Sequence, residues 1–203
     1  GPTTMTGDAY QLMLASLIED RRRLKDIQSI ERKIELKREL LPNYAPYIEG
    51  VLKSGNGAED EVLMTVMVWY FDVGALAEGL RIAEYAIKHR LNPPDRYQRS
   101  TAAIVAEEVA DQSLRRLATA TPEVAMVVAA TEQAERLTGD ADMHDQIRAK
   151  LAKAAGYALR AAGRYEDALA KLKRALELDE RIGVKKDIEQ LEREIKKAAQ
   201  AKT

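Results

Sequence analysis

The chain has 203 residues, with 32 basic against 33 acidic side chains, a formal charge of −1, 46% apolar residues and 5% aromatic ones. So even a balance excludes a polycation, and any anion-binding surface must come from segregated charge. Cysteine is absent, which excludes disulfides, thiolate zinc sites and cysteine nucleophiles, and no charge-free apolar run approaches the ~18 residues of a membrane span.

The content of Ala, Leu, Glu, Lys and Arg predicts a soluble all-α protein. Gly1-Pro2 reads as a cloning scar, and without a signal or transit pattern a cytoplasmic location is expected. The first predicted element is one long helix over 8–41. Tyr10, Met13, Leu17, Leu24, Ile27, Ile34 and Leu41 form a heptad-like seam on it, interrupted by Asp20, Glu31 and Arg38. Thr6-Gly7-Asp8 offers its start and Pro42 its end. Such a seam needs a partner, either another copy of the chain or the rest of this one. Leu17, Leu24, Ile27 and Ile34 are therefore the candidate oligomerisation residues.

After the turn at Pro42–Pro46 a short helix is expected near 47–53, and Ser54-Gly55-Asn56-Gly57 reads as a loop. An apolar helix from Glu59, a break at Gly74 and a helix over 76–91 follow. Asn92-Pro93-Pro94-Asp95 breaks the chain again. Helices are expected from Arg96 or Ser100 to Ala118, over 123–137, over 143–162, from Tyr165 and from Lys185. No run alternates long enough to predict a strand. The pattern Gly163–Leu169 with Ala175–Asp179 resembles a tetratricopeptide hairpin, with Gly156 and Ala168 permitting close helix approach and Glu180 standing where that repeat usually has proline. A weaker copy spans Gly74–Ala86. Two copies predict helical hairpins within a core over 42–183, rather than a solenoid, followed by a separate amphipathic helix and tail over 184–203.

Charge is unevenly distributed. Residues 21–38 hold eight basic side chains against three acidic ones, residues 51–148 hold 10 against 16, and residues 149–203 hold 14 against nine. On the heptad frame Arg22, Lys25, Arg32 and Lys33 point away from the seam, and with Arg21 they are the candidate DNA-binding residues. The competing reading is a solvated helix laced by pairs such as Arg22–Asp26. On the last helix Ile188, Leu191 and Ile195 form an apolar stripe, which either packs on its neighbour or docks a partner.

No catalytic set emerges. Gly55-Asn56-Gly57 lacks the lysine of a phosphate loop. His144, near Asp140, Asp142 and Asp145, reads as a solvated helix start rather than a metal site, and His89 as a helix C-terminus or, less simply, an anion contact. No metal or cofactor is expected, and the chain is not expected to be an enzyme.

The stretches Tyr10–Leu24, Ser29–Leu41, Pro42–Gly50, Glu59–Trp69, Ile82–His89, Ala106–Ala110, Ala149–Arg160 and Gly183–Leu191 resemble, in order, the small terminase subunits of peduovirus-type temperate tailed phages. Leu117–Ala141 matches least. The resemblance implies a homo-oligomer, ring-forming, in the host cytoplasm. It implies binding of double-stranded viral DNA at a cohesive-end packaging site and recruitment of a large terminase subunit that carries ATPase and nuclease. The basic N-terminal helix is assigned to DNA, and Ile188, Leu191 and Ile195 to large-subunit docking. A phage-satellite homologue that redirects packaging would look the same. The rival is a helical adaptor that binds only protein.

Overall fold

The computed structural model describes residues 3–94 and 99–203; Gly1-Pro2, Asp95 of the expected break and Arg96 as an expected helix start lie outside them. Among the described residues the regular elements are α-helices, and the sole β-type contact is a parallel bridge between Thr4 and Glu59. None of these helices is long and apolar enough to cross a membrane. The chain divides into two compact units, Gly1–Thr101 and Ala102–Thr203, so the single core expected over 42–183 is split between them.

The first unit contains α1 (Asp8–Lys25), α2 (Ile30–Ser54), α3 (Glu61–Asp72) and α4 (Leu76–Lys88). The expected helix over 8–41 is thus two helices. The first run ends at Lys25, and Ser29 caps the second by taking extended backbone and accepting from the Arg32 N–H at 3.2 Å, which satisfies one of the orphan donors of a new helix start. Pro42 does not end the second run. It lies inside α2 with Pro46, and both prolines are exposed. An internal proline costs about 3 kcal/mol, a cost offset here by burial of Leu40, Leu41, Tyr44, Ile48 and Val51 on the opposite side of α2.

Eight of the 12 residues of α3 are buried, from Val62 to Met67 and at Trp69 and Phe71, as expected of a largely apolar helix. Asp60 caps it by accepting from Leu63 N–H at 2.8 Å, and receives the Tyr47 hydroxyl at 2.5 Å. Around this helix pack α1, α2 and α4. Gly79 lets α4 reach Phe71, since a Cβ there would lie 2.5 Å from the phenyl ring.

The second unit contains α5 (Thr101–Leu117), α6 (Val124–Thr138), α7 (Asp145–Ala161), α8 (Tyr165–Leu178) and α9 (Lys185–Gln200). Helices starting at Tyr165 and Lys185 agree with the sequence pattern. α7 and α8 form a closely packed hairpin. Gly156 is its point of closest approach: a Cβ there would meet Leu172 Cδ2 at 2.5 Å. The helix over 185–200 is not a separate tail. Val184, Ile188 and Leu191 join Leu159, Ala168 and Leu172 in one buried cluster.

Candidate nucleic-acid interface

The break at 26–29 folds the basic stretch back on itself, so that two helices now carry what one was expected to carry. A groove of about 630 Å³ opens between them. Ile18, Arg21, Arg22, Leu24 and Lys25 line it from α1, Lys33 and Lys37 from α2, and Trp69 from α3. Helical spacing explains the grouping. Ile18, Arg21, Arg22 and Lys25 share one side of α1, and Lys33 and Lys37 stand one turn apart on α2. The floor is apolar and both walls are cationic. Trp69 is 5% exposed and meets Tyr44 edge-on at 5.8 Å.

The five cations are not equivalent. Arg21 donates to Glu61 at 2.7 Å and to Thr65 at 2.8 Å, which fastens α1 to α3. Arg22 donates twice to Glu19, at 3.2 and 2.5 Å, and lies 3.9 Å from Asp26. That hydrogen bond holds the Glu19 carboxyl below the usual carboxylate range and raises the Arg22 guanidinium. Lys37 is paired with Asp72 at 2.7 Å. Among the described residues, no ion pair holds Lys25 or Lys33, and Arg32 uses only its backbone N–H, outside the groove.

Of the expected DNA-binding residues, the groove therefore gathers Arg21, Arg22, Lys25 and Lys33, and leaves Arg32 exposed beside it. Sequence reasoning missed Ile18, Lys37 and Trp69. The pairs Arg21/Lys25 and Lys33/Lys37, each four residues apart, were the available signal. Asp20, which breaks the seam, has a role within the unit: it accepts the Tyr44 hydroxyl at 2.6 Å. Burial and that carboxylate push the Tyr44 phenol well above its usual range.

Two other assignments are corrected. Leu17 is fully buried and Leu24 is 8% exposed within the first unit, while Ile27 and Ile34 are half-buried. The seam is covered by α2 and α3 of the same chain, so Leu17 and Leu24 do not face another copy. Ile188 is 9% and Leu191 0% exposed, inside the second unit's core, and Ile195 is half-buried. Ile188 and Leu191 thus pack on their neighbours in the same unit. His144 is the exposed N-cap of α7. Among the described residues, no three His, Asp or Glu side chains gather so as to hold a metal ion. His89 packs its ring on Tyr85 at 4.5 Å.

Residues 14–146 match the family model described as phage small terminase subunit, and the chain belongs to that family. It is 48% identical over 187 residues to the "Terminase, endonuclease subunit" of Escherichia phage P2, an alignment covering 92% of this chain and 74% of that protein. A more distant relative is the "Probable terminase, endonuclease subunit" of Haemophilus phage HP1, 24% identical over 104 residues, or 51% of this chain and 37% of that one. No solved structure matches the chain.

Proposed function

We propose that this chain is the DNA-recognising, non-catalytic subunit of a phage terminase, acting in the host cytoplasm. It binds double-stranded viral DNA at the cohesive-end packaging site, self-associates into a ring, and recruits and stimulates the large subunit that supplies ATPase and nuclease. One observation carries the DNA part. In a chain of net charge −1, Lys25, Arg32 and Lys33 stand without carboxylate partners among the described residues, at and beside one groove, with Arg22 next to them. Gathered cations of this kind neutralise backbone phosphates.

The assembly surface lies outside the buried seam. Leu12, 67% exposed and about a third of a turn round α1 from Ile18, is where we place one contact. Large-subunit recruitment is placed on the outward face of α9, where Lys186, Glu189 and Arg193 are exposed. The word endonuclease in the relatives' names is read as naming the complex that the subunit serves. Plasmid DNA incubated with this chain alone and Mg²⁺ should stay intact, and cleavage would contradict the non-catalytic reading.

The test of the DNA reading is a mobility-shift titration on cohesive-end DNA at several salt concentrations. Three uncompensated phosphate contacts predict a slope of log affinity on log salt of about −2.7 per chain, at roughly −0.9 each. Replacing Arg22, Lys25, Arg32 and Lys33 by Glu should abolish binding and leave helicity intact. Unchanged binding by that variant would move the site elsewhere. Absence of binding by the parent would favour a protein-only adaptor.

A further inference from the structure

We infer that the groove accepts a nucleotide of single-stranded DNA, its base against the apolar floor and its phosphates on Lys25 and Lys33. This rests on the first unit being the DNA-binding part of the chain. Phosphate neutralisation on a duplex requires only cations on an accessible surface. It gives no role to an apolar floor, and a duplex about 20 Å wide keeps its stacked bases out of a groove of this size. At about 630 Å³ the groove lies within the roughly 300–1,000 Å³ range of small-ligand sites.

The distribution of exposed apolar side chains points the same way. Among the described residues the large exposed ones are Leu12, Ile18 and Ile30, at 67, 61 and 75%. Two of the three belong to the groove side. Ile18 lines it, and Ile30 lies three and seven residues before Lys33 and Lys37, on the same stripe of α2. An extended single strand alternates an apolar base face with a phosphate, which is the chemistry that a cation-walled groove with an apolar platform recognises.

The pairing of the walls sharpens this. Carboxylates already hold Arg21, Arg22 and Lys37, whereas among the described residues none pairs with Lys25 on one wall or Lys33 on the other. An acidic peptide would find the same charge. Protein interfaces, however, are depleted in lysine, and three of the five wall cations are lysines.

Trp69 is the only tryptophan in the chain, so its emission reports directly on the groove. The full chain is titrated at low salt with a twelve-residue oligothymidylate, a blunt duplex and poly-glutamate. The inference expects the oligothymidylate to change Trp69 emission saturably and to compete with the duplex. Ile18→Ser, at an exposed position and with helicity checked, should lower affinity for the strand relative to the duplex about tenfold, within the range of single base contacts. Lys25→Gln with Lys33→Gln should weaken both ligands. If the duplex binds while the oligothymidylate neither changes emission nor competes, the inference fails and the DNA reading stands. If neither nucleic acid binds, both fail. If poly-glutamate competes as well as the strand and Ile18→Ser changes nothing, the groove is an anion site and the base contact is wrong.

Discussion

The two units pack helices with different materials. In Ala102–Thr203 the core is mostly small: Ala103, Ala106, Ala130, Ala134, Ala154, Ala155 and Ala158 are buried, and helices approach closely. Several of its surface charges are tied between helices, as in Lys150–Asp111, Arg160–Asp187, Arg160–Glu194, Arg164–Glu132 and Lys171–Glu135, although among the described residues Lys185, Lys186, Lys196 and Lys197 have no ion pair. In Gly1–Thr101 the core is bulky, built on Met64, Met67, Trp69 and Phe71, and it is crossed by tyrosine–carboxylate bonds. There, among the described residues, no carboxylate pairs with Lys25 or Lys33 at the groove. Cross-helix pairs at a surface contribute little stability, about 0–1 kcal/mol each. They do cancel the local field, and a cation left unpaired retains it for a ligand. We propose the second unit as scaffold and the first as reader.

The strongest way to break this contrast is through the seam. Leu17→Gln with Leu24→Gln should unfold the first unit, because loss of a buried leucine costs about 2–5 kcal/mol per site. Trp69 emission should shift to that of an exposed indole while substantial helicity persists in circular dichroism. A folded chain with a smaller particle size would instead return the seam to the oligomer interface. The corresponding damage in the second unit is Gly156→Val. The added side chain would run into Leu172, at about 1–3 kcal/mol. Thermal melting should show a loss of helicity that leaves Trp69 emission unchanged at the same temperature.

A third prediction separates charge from packing. Lys25→Gln with Lys33→Gln should leave both melting signals unchanged and make the salt slope of duplex binding shallower by about 1.8. A fourth concerns the polar core of the first unit. Burial raises the Asp60 carboxyl above its usual value, against the lowering effect of hydrogen bonds from Tyr47, Leu63 and Val62. The folded state therefore holds this proton more tightly than the unfolded state. The contribution to stability is greatest below the unfolded value and is lost as pH rises through the folded one. Asp60→Asn should flatten that decline in urea denaturation followed by Trp69 emission above about pH 4. The smallest effect is expected at the exposed pair Arg174–Glu177: Arg174→Ala should change stability by no more than about 0.5 kcal/mol in the same assay.

Much of this architecture is legible in the residues. The apolar periodicity identifies an all-α chain, and Tyr165 and Lys185 mark helix starts correctly. Lys25, Arg32 and Lys33 read as outward positions on the heptad frame; Lys25 and Arg32 are exposed and Lys33 is half-buried. What is not legible is the result of competition between local and tertiary terms. Ser29 starts a new helix inside the apolar seam, its side-chain cap favouring a restart over a continued helix there. Pro42 signals an end that does not occur, because tertiary burial along α2 exceeds the proline penalty. Periodicity also shows that Leu17, Leu24, Ile188 and Leu191 must be covered, but not by which chain. The groove depends on both effects. It exists only once the chain turns at 26–29 and α3 brings Trp69, a residue distant in sequence, beneath the two basic helices.

The most direct test is amide hydrogen exchange of the full chain with and without cohesive-end duplex DNA. Protection on binding should concentrate in the second half of α1, the turn at 26–29 and the first two turns of α2, with α7–α9 unchanged. Protection confined to Ala102–Thr203, with residues 21–37 exchanging as in the free chain, would contradict the division into reader and scaffold.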